Sequence, residues 1–140
     1  MDKVTPETAI ALKDAGFPQP KQPKFGDFFY MDNETLMFQR EIPRKGFLSW
    51  EFLNCEPEED GFYSAELAEH NSHTFTFAPT ATDIMKKLGR GYVLWHEDKP
   101  NVGWFCRLTG TFSIEAGWPF YHQNPAEAAA QAWLHKNKKR

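Results

Sequence analysis

Cysteine is scarce in this chain of 140 residues, with Cys55 and Cys106 the only two. Two thiols cannot frame a disulfide scaffold, and the expected state is a pair of reduced, buried thiols in a cytoplasmic protein. Long apolar runs are also missing. No stretch approaches the ~20 apolar residues of a transmembrane helix. The opening MDKVTPETAIALKDAG holds no apolar run of the kind a secretory signal requires. Motifs of the common chemistries are absent: there is no GxxxxGK(S/T), no GxGxxG and no HExxH. A large charge of one sign is lacking too. The formal charge of −3 and a pI near 5.9 exclude an overall pull toward nucleic acid or an anionic membrane. No internal repeat divides the sequence. These absences leave a soluble intracellular domain with no cofactor implied.

What is present in excess is aromatic. The chain holds 13 Phe, 5 Trp and 4 Tyr, or 16% of its residues, within an otherwise globular composition of 41% hydrophobic and 25% charged residues. Each ring buries a large area, so most are expected to fill a core, with a minority left to line a binding surface. A length of 140 residues suits one domain, 1–140, able to bury a core without staples.

Three segments carry helix punctuation. In VTPETAIALKDAGF, Thr5 caps, Pro6 sits where its missing N–H costs nothing, and Gly16 supplies the left-handed stop. In TATDIMKKLG, Thr80 and Asp83 have capping-box spacing, Gly89 ends the run, and Ala81, Ile84, Met85 and Leu88 form one apolar stripe. In NPAEAAAQAWL, Asn124 is the cap, Pro125 stands at the first helical position, and Glu127 sits where a carboxylate favours the positive helix end. Ala126, Ala129, Ala130 and Trp133 repeat on one face, which lets this helix approach a sheet closely with Trp133 as anchor. The tail KNKKR places positive charge at the helix's negative end.

Between the helices the period is two. DFFYM and LMFQREI flank the turn-rich DNET as a hairpin, followed by FLSWEFLN and HTFTFA. YVLWHE and GWFCRL flank DKPNV as a second hairpin, and FSI at 112–114 continues as a short strand. The predicted fold is α+β, an antiparallel sheet of about five to seven strands with three helices in the order α-β-β-β-β-α-β-β-α. Two stretches fall outside it. FPQPKQPKFG, residues 17–26, is an extended Pro-rich connection, and residues 56–73 form an acidic insertion with six carboxylates, no Lys or Arg, and one helical turn at SAELAEH.

The reactive side chains form no constellation. His70 and His73 lie three apart with Glu66 and Glu69 upstream, a mixture suited to a metal, but no second ligand pair accompanies them and a solvated loop explains them. Cys106 with His96 or His122 would need a base in hydrogen-bond reach and an orienting third group. Alternation sets Cys106 beside Trp104 and Leu108 on a core face, as an inert thiol. Gly89-Arg90-Gly91 follows a helix and leads into a strand, so helix termination explains it without a phosphate. The basic residues from Lys136 to Arg140 are a small footprint for nucleic acid in an acidic chain.

The segments ALKDAGFPQP, FAPTATDIMKKLG and NPAEAAAQAWL, roughly a quarter of the chain, resemble a group of small bacteriophage and prophage-encoded proteins without assigned function. The resemblance implies a mobile-element accessory protein of the bacterial cytoplasm and carries over no catalytic residue. Together these features point to a non-enzymatic module that binds a protein partner. The classes against it are a small hydrolase or transferase using the His and Cys residues, and a nucleic-acid binder acting through the basic tail and stacked aromatics.

Binding is expected at Trp95, Trp104 and Trp133. If YVLWHE pairs with GWFCRL, facing positions have a constant sum, and an odd sum of 199 or 201 sets Trp95 and Trp104 on one sheet face. That face is either core, covered by the Trp133 helix, or the floor of an exposed binding face, and core is the expectation because Cys106 and Leu108 share it.

Overall fold

A computed structural model of the chain describes residues 2–31, 34–45, 47–55, 62–63, 75–99, 102–109 and 119–138. In chain order its elements are α1 (Pro6–Asp14), β1 (Phe28–Met31), β2 (Glu34–Arg44), β3 (Phe47–Asn54), β4 (Phe62–Tyr63), β5 (Thr76–Ala78), α2 (Ala81–Leu88), β6 (Tyr92–Glu97), β7 (Gly103–Leu108), β8 (Phe120–His122) and α3 (Pro125–Lys136). The class is α+β with antiparallel pairing throughout, close to the predicted order. The strands divide between two sheets, β4-β3-β2-β1-β5 and β6-β7-β8, rather than sharing one. Contacts likewise divide the chain into two compact units, Phe17–Ala78 and the discontinuous Met1–Gly16 with Pro79–Arg140. The expected strand at 112–114, the metal-like group at His70 and His73, and the helical turn at SAELAEH lie outside the described residues.

The Phe17–Ala78 unit is a meander closed by a late strand. β1 and β2 form the predicted hairpin, with Met31 opposite Glu34, so β2 takes in two residues of the turn-rich DNET. β3 follows β2 with a register shift between Phe38 and Arg40, and β5 returns to pair with β1. The acidic insertion supplies β4, which adds to β3 through Phe52↔Tyr63 and Leu53↔Phe62. Within residues 17–26, Gln19 ties the Pro-rich connection to the sheet, because its Oε1 accepts from the Phe77 backbone N–H at 2.9 Å.

The rings of this unit form its core. Phe29, Leu36, Phe38, Trp50 and Phe52 are buried and share one sheet face by alternation, with Phe77 opposite Phe29. Phe52 stacks on Phe75 with centroids 5.1 Å apart, and meets Phe29, Phe38 and Trp50 edge-on at about 6 Å. The ion pair between Arg40 and Glu51, at 3.2 Å, stands on the opposite face.

The other unit is a helical layer on a three-stranded sheet. α1 and α2 form where the caps predict. Thr5 Oγ1 accepts from Thr8 N–H, and Thr80 with Asp83 completes a capping box. Gly16 and Gly89 close these helices with positive φ, at +94° and +84°. α3 starts at Asn124, whose Oδ1 accepts from Ala126 N–H at 2.8 Å. Ala126, Ala128, Ala129, Ala130 and Ala132 are all buried, so the helix is enclosed on more than the single face its spacing predicts. It packs on α2, β7 and β8, and also touches α1 and β6. Small side chains permit that close approach on several sides.

Two further contacts lock the layer. Glu127, 8% exposed, receives the Thr8 hydroxyl at 2.7 Å and the Thr5 backbone N–H at 3.3 Å, so one carboxylate serves the first turns of both α1 and α3. Lys136 donates to the carbonyl of Leu88 at 2.7 Å and lies over the Tyr92 ring. The cation expected to serve the end of its own helix also satisfies the C-terminal end of α2. Among the described residues no helix is long and apolar enough to cross a membrane.

Candidate functional site

The register of β6 and β7 decides which aromatic residues face outward. Glu97 pairs with Gly103, Trp95 with Phe105 and Leu94 with Cys106, so facing positions sum to 200. The sum is even, and Trp95 and Trp104 stand on opposite faces of the sheet, which corrects the shared face expected from an odd sum. The physical cause is the loop. Five residues separate Glu97 from Gly103, the last of them Val102, which is 59% exposed and whose carbonyl accepts the Tyr121 hydroxyl at 2.6 Å. An odd number of loop residues gives an even sum.

One face carries Leu94, His96, Trp104, Cys106 and, from β8, Phe120 and His122. This face meets the helices. Cys106 is fully buried with Sγ 3.8 Å from Met85 Sδ of α2, and Phe120 packs against His135 of α3 at 5.4 Å. Trp104 is half-buried, with the His96 ring 5.1 Å away. Trp133 is buried in α3 at 6% exposure.

The imagined thiol site does not assemble. Burial pushes the Cys106 thiol up to about 11, far from the depressed value a thiolate nucleophile needs. His96 Nδ1 lies 3.4 Å from Asp98, and His122 Nδ1 accepts the Asn124 backbone N–H at 2.9 Å. Both imidazoles are thus directed at neighbouring residues, while the thiol meets Met85. Cys55, expected to be buried, is exposed just beyond β3. Among the described residues no three His, Cys, Asp or Glu side chains gather as a metal set.

The opposite face is open. It carries Val93, Trp95 and Glu97 from β6, Gly103, Phe105 and Arg107 from β7, and Tyr121 from β8. Val93, Arg107 and Tyr121 are exposed, and Trp95, Phe105 and Glu97 half-buried. Across the strands run three rings in a row. Trp95 and Phe105 have centroids 5.5 Å apart with planes within 17°, and Phe105 lies 5.0 Å from Tyr121. With planes this nearly parallel, Trp95 and Phe105 form an offset stack across the two strands.

Two polar contacts fix the row. The Trp95 indole N–H donates to Glu97 Oε2 at 3.1 Å. Tyr121 leans across β7 to reach Val102, and Gly103 makes room for it, since a Cβ there would come within 2.3 Å of the tyrosine ring. Of the three tryptophans expected to bind, only Trp95 belongs to this face. Phe105, Tyr121 and Arg107 were not singled out by sequence, although strict alternation along GWFCRL marks Phe105 and Arg107 as partners on one side.

Comparison with protein-family models, with curated proteins and with solved structures finds no match to this chain.

Proposed function

We propose that the chain is a non-enzymatic recognition module that binds a protein partner through the outer face of the β6-β7-β8 sheet. The observation that carries this reading is the row Trp95–Phe105–Tyr121, half-buried at Trp95 and Phe105 and exposed at Tyr121, on a sheet whose other face is already packed by helices. Trp, Tyr and Arg are the residue types that dominate binding energy at protein interfaces, and an apolar centre with polar rim groups is the usual anatomy. Here the rings and Val93 form the centre, with Glu97 and Arg107 at its two ends. The buried Cys106, with its raised pKa, gives a hydrolase or transferase no nucleophile. The resemblance of the helix-start segments to phage and prophage proteins supports an accessory role in a bacterial cytoplasm.

The test uses the intact chain and a Trp95→Ala/Tyr121→Ala variant as baits in bacterial lysate, with circular dichroism confirming that both are folded. A stoichiometric partner held by the wild type and lost by the variant supports the module. A partner retained equally by both removes this face from the interaction. Substrate turnover that disappears on changing His96 or Cys106 replaces the module with an enzyme.

A further inference from the structure

We propose that the partner this face accepts is a second copy of the same chain, seated sheet on sheet with Arg107 of each copy on Glu97 of the other. The inference rests on the reading of the outer face as a binding face, and adds what occupies it. An isologous interface must be self-complementary, so any charge on it has to meet its opposite across the twofold axis. The outer face meets that condition. Among the described residues its strands carry one cation and one anion, toward opposite ends of the ladder. Arg107 stands opposite Val93 in one terminal row, Glu97 stands opposite Gly103 in the other, and the Trp95–Phe105 pair lies between them.

A twofold axis lying between two such sheets, and running across the strands between Trp95 and Phe105, exchanges the two ends. It brings each Arg107 to the other copy's Glu97, and sets each Trp95 over the other copy's Trp95 and each Phe105 over its Phe105. Because Arg107 and Glu97 sit on neighbouring strands, the axis runs oblique to them. Two sheets related in this way cross at an angle of the kind usual when sheets pack face to face, about 30°. The rings of the two copies then meet across the roughly 10 Å that separates stacked sheets.

The two charges are available for the exchange. Arg107 is exposed and, among the described residues, forms no ion pair. Glu97 uses Oε2 for the Trp95 indole, which leaves Oε1 for a guanidinium. The pairing also specifies register, since an alignment that sets Arg107 or Glu97 over Val93 or Gly103 leaves both charges without an opposite. A three-stranded face is small for a permanent interface, so the dimer is weak and depends on concentration.

Sedimentation of the purified full chain, over concentrations from ~1 μM to ~1 mM, reads the association directly. The wild type is expected to pass from monomer to dimer within that range. Glu97→Arg and Arg107→Glu, each checked for folding by circular dichroism, should weaken dimerisation at least ~10-fold. An equimolar mixture of the two single variants should restore it, because each reversed charge then meets its complement, and the double reversal in one chain should do the same. A wild type that stays monomeric throughout, a dimer indifferent to both reversals, or a mixture that fails to recover overturns the proposal. If the wild type is monomeric yet the lysate partner is still lost by Trp95→Ala/Tyr121→Ala, the face binds another protein and only the second copy is refuted. A single-stranded oligonucleotide whose binding is abolished by Trp95→Ala assigns the face to nucleic acid and refutes both readings.

Discussion

The Phe17–Ala78 unit turns its rings inward, where Phe29, Phe38, Trp50, Phe52, Phe75 and Phe77 pack on one another and are nearly inaccessible. In the other unit a row of three rings turns outward, over a sheet whose inner face is closed by an alanine-rich helix. Charge separates along the same boundary. Residues 17–78 hold 5 Lys and Arg against 11 Asp and Glu, whereas the remaining residues hold 11 against 8. A chain of modest net charge is therefore an acidic unit joined to a basic one, and a single aromatic total conceals two different uses of the rings. Neither contrast is visible in totals over the whole chain.

The contrast can be broken most forcefully in the inward cluster. Phe52→Ala removes a fully buried ring that touches four others and should cost ~3–5 kcal/mol, measured as the shift of a denaturant unfolding midpoint at constant slope. Next in size is the carboxylate shared by two helices. Glu127→Ala leaves the Thr8 hydroxyl and the Thr5 N–H without their acceptor, and should cost ~1–3 kcal/mol by the same measurement. Trp95→Ala, on the open face, should cost no more than ~1 kcal/mol, the scale of a cross-strand ring pair, while abolishing partner capture. A loss as large as that of Phe52→Ala would show that the outward row is core after all.

The smallest effect concerns the thiols. Maleimide should label one cysteine per native chain, Cys55, and reach Cys106 only on unfolding. Burial holds the Cys106 thiol at about 11 against an ordinary 9.0, so the unfolded chain gives up that proton first. Its contribution to stability is therefore complete below pH 9 and declines as pH rises toward 11. Unfolding midpoints at about pH 8 and about pH 10.5 should differ more in the wild type than in Cys106→Ala.

Local signals carried most of the fold. Thr5, Thr80 and Asn124 cap where their spacing says, because a cap is decided within three residues. The two hairpins were legible for the same reason. The division into two sheets was not, since the pattern of a strand does not name its partner, and β5 skips back to β1 rather than joining β6. The site was half-legible. Trp95 stands out in any reading, but the face it shares depends on the parity of a loop, and one residue more or fewer exchanges Phe105 for Trp104. The Glu127 contact was out of reach, as its threonines lie 119 and 122 positions away.

That contact has a consequence for synthesis. The acidic strands are complete once residue 78 has been made, and their ladder needs nothing that follows. The first helix is different: its hydrogen-bonding partner is Glu127, almost the whole chain later. A ribosome thus releases the inserted unit ready to fold while Pro6–Asp14 must wait, unpaired, for the last helix to emerge.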